Sequence, residues 1–426
     1  MTSPQLTQNK WDFSSFAQSV RSLGLDEPSI ADSPVGPTIV SRQEITNFAA
    51  VNFLNLHNRP DVMQAFCTGA QRYGLAIGGS RFTAGQGLTY AHQEMERGIA
   101  ALAGRQRAVS FASGLLANIG FCHAMTHSLS VTKGVEIDNT DVVFVLDRDS
   151  HWSLWKGLEH LTYGDRLFSF KHNNCADLDR VLSDLSGKRV VVVFESVYSV
   201  DGSVAPMNQL IDVCERHGAM SYVDDANGWL VYGPSHRPFA FEYTGLKRAT
   251  FVMVSMKKAV GLEGGAIVGS DDDILMLETH SGTAAFTAAM LPPAAAATSY
   301  IMKLLTVDEP EIVDTYLSKV VDFRKKLIDA GLPINDTPTF FTSIQVGDER
   351  TSMALRRACF ARGYQVPSFS YPVTRRNQAV LRLILNNGHT DEHIDGLIET
   401  LTDLRRVYPF GTDPTTPAPA VGTRPR

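Results

Sequence analysis

The sequence predicts an α/β protein in which a large domain, built on a mostly parallel sheet, is followed by a smaller α+β domain. Short apolar runs of strand length alternate with helical segments through the middle of the chain. This alternation is typical of a parallel sheet covered by helices on both faces. From about residue 300 the pattern changes to one long helix (300–330), two strands and a closing helix. A chain of 426 residues is long enough for one large and one smaller domain.

Apolar runs bounded by polar residues predict the individual elements. The strands of the large domain are expected at Ala108–Ala112, Val142–Leu146, Val190–Glu195, Ser221–Val223, Phe251–Val254 and Gly265–Gly269. The other elements expected are helices at Phe13–Leu25, Leu178–Leu185 and Met207–His217, strands near Phe340–Val346 and Leu381–Leu385, and a helix near Asp391–Val407. We divide the chain into an N-terminal arm (1–55), a large domain (56–299), a small domain (300–409) and a disordered tail (410–426) rich in Pro, Thr and Gly.

Composition argues against several classes of protein. The net charge of -6 comes without a long basic run, so we expect no nucleic-acid partner. No apolar stretch is long enough to span a membrane, and the first residues lack the pattern of a secretory signal. The five cysteines form no CxxC pair, which favours reduced thiols and a cytoplasmic location. We expect no metal site, because His389 and His393 lack a third ligand and are interpreted as a surface pair at a helix start.

Several polar residues follow directly after predicted strands, where open α/β sheets bind their ligands. Ser113, Gly114 and Leu115 open a helix after the first of these strands. The backbone N–H groups of such a turn can bind a phosphate, although a lone Ser-Gly is more often a plain helix cap. Glu195 and Ser199 follow another strand, and the alternative there is an ordinary acidic turn.

Three further residues extend this pattern towards cofactor chemistry. His151 could stack on a flat ring, Asp224 could keep a ring nitrogen protonated, and Lys258 could form a Schiff base. Taken singly, each has an ordinary alternative: a structural loop histidine, a helix-capping aspartate and a solvated lysine. A phosphate-binding turn, a stacking imidazole, a carboxylate and a lysine together, all at strand ends, predict pyridoxal 5′-phosphate (PLP) as the cofactor.

At this point the chain resembles the α-oxoamine synthases, which are fold-type I PLP enzymes that join an amino acid to an acyl thioester. The resemblance extends from about Asn47 to Leu401. The segments that carry it are Val51–Leu56, Tyr73–Arg81, His92–Glu96, Phe111–Asn118, His151, Glu195–Ser203, Asp224–Gly228, Ser255–Gly261 and Val380–Arg382. It implies a PLP-binding large domain with a mostly parallel seven-stranded sheet, and a homodimer with shared active sites.

The resemblance also implies individual roles. Lys258, not Lys257, would form the Schiff base, and His151 would act beside it in catalysis. Arg382 would bind the carboxylate of the amino acid, with Val51 and Ser80 as further substrate contacts. The cofactor contacts implied are Ser113, Gly114, Leu115, His151, Glu195, Ser199, Asp224, Asn227, Ser255 and Lys258.

The chain departs from the family pattern at three places. Asn227 stands where the family has a histidine that contacts the phenolic oxygen of the cofactor. Its amide can donate a hydrogen bond but carries no charge. Val51 replaces a family asparagine on the substrate side. Ala288 and Ala289 replace the Ser/Thr pair that reaches the phosphate of the partner subunit, with Thr287 nearby.

Within the family, the chain is most similar to quorum-sensing autoinducer synthases that make α-hydroxyketone precursors. The similarity lies in the segments His151–Gly157, His172–Cys175 and Gly347–Arg350. It suggests S-adenosylmethionine or 2-aminobutyrate as the amino acid, a medium-chain acyl-CoA as the thioester, and a role in signal synthesis or secondary metabolism.

We therefore expect a PLP-dependent C-acyltransferase that condenses an α-amino acid with an acyl thioester, bound to CoA or to a carrier protein. Two alternatives remain open. One is a PLP-dependent eliminase, aldolase or alkyl transferase that needs no thioester, because the cofactor is better defined than the electrophile. The other is a non-catalytic relative. Retention of Lys258, Asp224, His151 and Arg382 together argues against the second alternative.

Overall fold

A computed structural model describes residues 13–22, 30–41, 43–82, 87–371 and 373–411. The helices are α1 Ser14–Ser22, α2 Pro60–Tyr73, α3 Tyr90–Leu102, α4 Gly114–Ala124, α5 Trp152–Gly157, α6 Cys175–Asp184, α7 Met207–Arg216, α8 Ala240–Tyr243, α9 Asp271–His280, α10 Gly282–Ala285, α11 Pro292–Lys303, α12 Glu311–Asp329, α13 Glu349–Ala361 and α14 Asp391–Val407. The strands are β1 Thr38–Val40, β2 Glu44–Asn47, β3 Arg107–Phe111, β4 Ser128–Thr132, β5 Val135–Asp138, β6 Val143–Asp147, β7 Leu167–Phe170, β8 Val190–Glu195, β9 Met220–Asp224, β10 Phe251–Ser255, β11 Gly265–Gly269, β12 Phe341–Gly347, β13 Tyr364–Gln365, β14 Ser368–Phe369 and β15 Ala379–Ile384.

A seven-stranded sheet in the order β3-β11-β10-β9-β8-β6-β7 forms the centre of the molecule. Strand β11 is antiparallel to both of its neighbours, and the other neighbouring pairs are parallel. The link between β10 and β11 is too short for the crossover that a parallel pair needs, so the chain returns antiparallel. The expected α/β class with a mostly parallel seven-stranded sheet is confirmed.

Among the described residues, three smaller sheets lie outside this centre, and one of them is the antiparallel pair β4-β5. Strands β12, β15 and β14 form an antiparallel sheet in the C-terminal part of the chain. Strand β2 pairs with β1 on one side and, in parallel, with β13 on the other, which joins the N-terminal segment to the C-terminal part. The sequence predicted a C-terminal α+β region of this kind; the boundaries at residues 55, 299 and 409 stay a prediction.

The predicted strands of the central sheet are all present, with ends that agree within one residue. The closing helix Asp391–Val407 has the predicted bounds. The helix predicted at Phe13–Leu25 is present as α1 over its first part, and 23–25 lie outside the described residues. The tail beyond residue 411, predicted to be disordered, also lies outside them.

The prediction of a single helix at 300–330 is wrong, because this part of the chain forms two separate helices. Helix α11 ends at Lys303, a π-helical turn follows, and α12 begins after Pro310. Proline has no N–H to continue the hydrogen-bond ladder, and it disfavours helical geometry in the preceding residue. Glu309 accordingly leaves the helix, and its carboxylate accepts a hydrogen bond of 2.8 Å from Arg59, just before α2.

The interpretation of His389 as a surface residue is also wrong. Its ring is buried and stacks on Phe48 with 4.1 Å between ring centroids. Nε2 donates to the Pro37 carbonyl at 3.2 Å, while Nδ1 accepts from the Asn386 N–H at 3.0 Å. Burial lowers the pKa of His389 to about 3, so the ring is neutral. A single histidine in a sequence carries no indication of such burial.

His393 caps the start of α14 in a reciprocal arrangement with Thr390. In the part of the chain that the structure describes, no group of three or more His, Cys, Asp or Glu side chains is arranged to hold a metal ion. The helices within the same part include none with the length and apolar character that a membrane span requires.

Phe53 anchors the N-terminal segment in the core. It is fully buried and packs on Tyr316 of α12 and on Phe340, with ring centroids 5.1 and 4.3 Å apart. Aromatic groups of this kind dominate the packing of a core. The segment that carries Val51 is thereby fixed against the C-terminal part.

We predict that Phe53→Ala lowers the free energy of unfolding by about 3–5 kcal/mol, because a large cavity replaces the ring. Urea unfolding followed by tryptophan fluorescence would measure this loss. Phe241→Ala is the control, since Phe241 is 72% exposed and should change the free energy by less than about 0.5 kcal/mol. Equal effects of the two substitutions would contradict the packing described here.

Candidate active site

The predicted site residues lie at one edge of the sheet. Strands β3, β6, β8, β9 and β10 run parallel to one another, so their carboxyl ends share an edge. The residues that follow them include Ser113, His151, Ser199, Asn227 and Lys258, while Glu195, Asp224 and Ser255 are the last residues of their strands. The geometry therefore brings these predicted residues together.

The turn at Ser113 has the form of an anion-binding site. Ser113 caps α4 by accepting the Leu116 N–H at 3.2 Å. The N–H groups of Gly114 and Leu115, in the first turn of the helix, have no acceptor within the helix. A Cβ atom added to Gly265 on β11 would lie 2.6 Å from the Gly114 nitrogen, so the turn needs a glycine opposite it. These features fit the phosphate of PLP.

Asp224 is buried at the end of β9 and accepts two hydrogen bonds. The donors are the Asn118 side-chain amide at 2.9 Å and the Ala226 N–H at 3.0 Å. Burial raises the pKa of Asp224, while the neighbouring His151, the hydrogen bonds and Lys258 act in the opposite direction. A carboxylate held in this way suits a protonated ring nitrogen.

Lys258 lies in the turn after β10 and is half-buried, whereas Lys257 is exposed. Burial lowers the pKa of Lys258 to about 8, and the charge of Arg382 acts in the same direction. Asp224 and Glu195 oppose this shift. A lysine with a lowered pKa is partly neutral near physiological pH and can act as a nucleophile or base.

His151 forms the cap of the short helix α5 and is partly exposed to solvent. Protein packed around its imidazole lowers the pKa of the ring by desolvation; the charge of Asp224 raises it, and that of Lys258 lowers it further. An exposed, neutral ring face is what stacking on a flat cofactor needs.

Glu195 is a buried carboxyl group beside these residues. Burial raises its pKa well above the usual range, and the nearby charge of Asp224 raises it further. A backbone hydrogen bond from His151 has the opposite effect. Glu195 therefore favours its protonated form, in which it can donate a hydrogen bond as well as accept one.

Arg382 projects from β15 between two aromatic rings. Its guanidinium carbon lies 4.2 Å from the ring centre of Phe369 and 5.4 Å from that of Phe341. Burial lowers its pKa to about 10. One nitrogen donates to the Ser199 carbonyl at 3.1 Å, and Nε has no partner among the described residues. This guanidinium can bind a carboxylate.

The loop of residues 199–202 holds the C-terminal part against the site. Each of its four successive backbone carbonyls accepts a hydrogen bond from a side chain of that part. The donors, in order, are Arg382, Ser343, Asn335 and Thr339. Ser199 thus contributes through its backbone to the position of Arg382, and its predicted cofactor contact stays a prediction.

Asn227 is buried next to these groups, and its orientation is defined by a backbone carbonyl. The side-chain N–H donates to the Val197 carbonyl at 2.8 Å. The amide oxygen has no partner among the described residues. The unpartnered oxygen of Asn227 is an acceptor. The second hydrogen of its NH2 group is not used by Val197, so the donor role expected from the sequence stays a prediction. An orphaned acceptor beside Asp224 fits a ligand that brings a hydroxyl or N–H group.

The structure places Val51, Ser80 and Ser255 in different surroundings. Val51 is partly buried and packs against the core. Ser80 forms a backbone bridge with Ala288, which joins two segments that the family resemblance associates with the site. Direct contact of Val51 or Ser80 with substrate stays a prediction. Ser255 is buried, and its hydroxyl accepts the Lys257 N–H at 3.3 Å.

A family model described as aminotransferase class I and II matches residues 43–401. The chain belongs to this family. The 8-amino-7-oxononanoate synthases of Alcanivorax borkumensis and Methylococcus capsulatus are each 31% identical to it. The alignments cover 87% of this chain and 92% of the first relative, and 84% and 88% for the second.

Solved structures with the same fold include a serine palmitoyltransferase from Sphingomonas wittichii. It has a TM-score of 0.82 at 23% identity and covers 93% of this chain and 98% of its own. The 8-amino-7-oxononanoate synthase of Francisella tularensis gives a TM-score of 0.66 at 22% identity, with 85% and 98% covered.

The predictions of family, enzyme class and fold class are confirmed by these similarities. The relatives are α-oxoamine synthases, and the fold is that of fold-type I PLP-dependent transferases. PLP, the predicted cofactor, is the cofactor of this family, and one serine palmitoyltransferase structure with a TM-score of 0.81 contains it.

Sequence reasoning missed the buried polar residues that support the site. Asn118 and Ser153 link Asp224 to His151 through hydrogen bonds, and Tyr222 donates to the side-chain oxygen of Asn118. Asn118 is the last residue of a matched motif, so its position was indicated but its partners were not. Ser153 and Tyr222 had no sequence feature that distinguishes them from ordinary core residues.

We predict that Lys258 in the PLP-free protein reacts with an acylating reagent at a rate that rises through about pH 8. Its lowered pKa leaves a large neutral fraction at a pH where an ordinary lysine, with a pKa of about 10.4, is charged. Competitive labelling followed by peptide mass spectrometry measures this at each lysine. Lys257 is the internal control, and a Lys258 profile that titrates with the surface lysines would contradict the assignment.

Proposed function

We propose that this protein is a PLP-dependent C-acyltransferase that condenses an α-amino acid with an acyl thioester and releases the thiol. The observation that carries the proposal is the convergence of Lys258, Asp224 and His151 at one edge of the central sheet, with Arg382 of β15 close enough to lower the pKa of Lys258. The relatives named above are synthases of the same type. The donor we favour is S-adenosylmethionine or 2-aminobutyrate, with a medium-chain acyl-CoA, in signal synthesis.

The residues present fit PLP at each of its polar groups. The N–H groups of Gly114 and Leu115, with the hydroxyls of Ser113 and Ser255, would hold the phosphate. Asp224 would pair with the ring nitrogen and His151 would lie against the ring. When bound, PLP supplies an electron sink that stabilises negative charge at the α-carbon of the amino acid.

The chain's own side chains then bind the amino acid and move its proton. Arg382 binds the α-carboxylate with its free Nε and a terminal nitrogen, and the two aromatic rings keep water from the guanidinium. The Lys258 amine, neutral in part because its pKa is about 8, takes the proton from the α-carbon. A base whose pKa lies near the working pH is efficient in this role.

The acyl group arrives on the open side of the site, where His151 is exposed. A neutral imidazole that donates an N–H to the thioester carbonyl stabilises the negative charge that develops there, as in an oxyanion hole. The thiol leaves, and the new bond joins the α-carbon to the acyl carbon.

The test is release of thiol from an acyl-CoA in the presence of PLP and a panel of amino acids that includes S-adenosylmethionine and 2-aminobutyrate. We expect thiol release that requires both substrates, measured with a thiol-reactive chromophore, and a product with the mass of the condensed compound. Lys258→Ala should abolish it, while Lys257→Ala keeps nearly the wild-type rate.

A product formed from the amino acid alone, with no thiol released, would contradict the proposal. That result would favour an eliminase, aldolase or alkyl transferase. The departures from the family pattern at Val51, on the substrate side, and at Ala288-Ala289, on the phosphate side, make this the alternative to exclude first.

We further propose a homodimer with the sites at its interface. Large apolar side chains remain exposed near the Ser80–Ala288 bridge: Leu75 is 71% and Phe286 is 74% exposed. Apolar side chains clustered on a surface mark an interface.

Light scattering is expected to give about twice the chain mass of 46.7 kDa, and Phe286→Asp is expected to shift the mass towards the monomer because a charge is costly to bury. Phe241→Asp is the control at another exposed phenylalanine. A wild-type protein with the mass of one chain would refute the dimer.

A further inference from the structure

The buried side-chain amide of Asn118 connects Asp224 and His151, the two ionisable residues that we propose contact the ring of the cofactor. The side-chain nitrogen of Asn118 lies 2.9 Å from an Asp224 oxygen and 2.8 Å from the Ser153 hydroxyl. The Ser153 hydroxyl lies 2.7 Å from Nδ1 of His151. On the other side, the Tyr222 hydroxyl is 2.6 Å from the Asn118 oxygen.

The chemistry of these groups defines the direction of each hydrogen bond. The NH2 group of Asn118 can only donate, so its two hydrogens go to Asp224 and to the Ser153 oxygen. The Ser153 hydroxyl thereby keeps its own hydrogen free for His151. Because the Asp224 carboxylate accepts, the amide oxygen faces Tyr222, whose hydroxyl donates to it.

The same logic assigns the proton on His151. The Ser153 backbone N–H also points at Nδ1, at 3.3 Å, and a backbone N–H can only donate. Nδ1 therefore accepts from both the backbone and the hydroxyl of Ser153. The hydrogen of the neutral imidazole is then on Nε2.

We propose that Asn118 is a positioning residue that sets the state of both partners: it holds Asp224 as a carboxylate and, through Ser153, keeps the proton of His151 on Nε2. The assignment of that Nε2–H to the thioester carbonyl rests on the proposed function. The tautomer itself does not depend on which substrate binds.

The surroundings of Asn118 make it suitable for this role. It is 1% exposed on α4, the helix whose first turn would hold the phosphate. Phe121, one turn later, stacks on Tyr222 with ring centroids 4.0 Å apart. Tyr222 and Asp224 are two residues apart on β9 and therefore face the same side of the sheet. Helix and strand are thus fixed to each other around the amide.

The hydrogen bond from Asn118 favours the charged form of Asp224. It lowers the pKa of Asp224, against the larger effect of burial. An imidazolium at His151 would place a hydrogen on Nδ1, where two donors already point. This conflict disfavours the imidazolium, as does the desolvation that lowers the pKa of His151.

The tautomer can be measured directly in the PLP-bound protein labelled with ¹⁵N-histidine, by long-range proton–nitrogen NMR. We expect the His151 signals, identified by their loss in His151→Gln, to show a hydrogen on Nε2 and none on Nδ1. In Asn118→Leu the Ser153 hydroxyl is free to turn away from Nδ1, and in Ser153→Ala it is lost. The longer contact from the Ser153 backbone N–H remains, so the signals should shift part of the way towards a hydrogen on Nδ1. Ser153→Ala provides the test if Asn118→Leu does not fold.

Phe144→Leu is the matched control, since Phe144 is buried in the same hydrophobic cluster as Phe121 and Tyr222 but its side chain has no hydrogen-bonding group. It should leave the tautomer unchanged even though it reduces stability. A wild-type His151 with its hydrogen on Nδ1, or a tautomer unaffected in both Asn118→Leu and Ser153→Ala, would overturn the proposal.

Kinetics separate this inference from the proposed function. Ser153→Ala should lower kcat about tenfold, less than the roughly 10²–10³-fold loss when an oxyanion donor itself is removed, with little change in the KM of the amino acid. A tautomer shift without any thiol release would leave the inference standing and refute the proposed function. Thiol release with an unchanged tautomer in both variants would do the reverse.

Discussion

The buried carboxylate of Asp224, at the end of a central strand, has to be stabilised without water, and much of the site follows from this requirement. Its direct partners are one amide and one backbone N–H. Lys258 and His151 lie close enough to affect its pKa. A cationic ring nitrogen placed against Asp224 would neutralise the negative charge of its carboxylate. The site therefore suits a pyridinium better than a neutral ring.

Burial acts on each ionisable group of the site in the direction of its neutral form. It lowers the pKa of Lys258 and Arg382 and raises that of Glu195. Together these shifts place a lysine that can lose its proton beside an acid that can keep one. A substrate carboxylate that reaches Arg382 would meet a guanidinium with few competing waters.

Much of the fold could be predicted from the sequence, because strand and helix periodicities are local. Strands such as Val190–Glu195 were placed correctly from their apolar runs, and the edge at which the site residues meet followed from the parallel arrangement. The break at Pro310 was overlooked because apolar periodicity continues on both sides of it. The burial of His389 depends on Phe48 and Pro37, which are distant in sequence.

The sequence indicates candidate site residues where a family motif needs one residue type at one position, as for Lys258 and Arg382, and their roles stay a prediction. The site was less predictable where a residue acts through a partner. The orientation of Asn227 is set by the Val197 carbonyl, which accepts one hydrogen of its amide, and no sequence pattern reveals this contact. The roles of Ser153 and Tyr222 likewise exist only in three dimensions.

The attachment of the C-terminal part to the loop of residues 199–202 uses backbone acceptors alone on the loop side. Any amino acid supplies the same carbonyl, so side chains at 199–201 can change without loss of the attachment. On the other side, each donor is a specific side chain, and one of them is Arg382. The loop side therefore tolerates changes of side chain, whereas a substitution of Arg382 would remove one of the four hydrogen bonds that hold the two parts together.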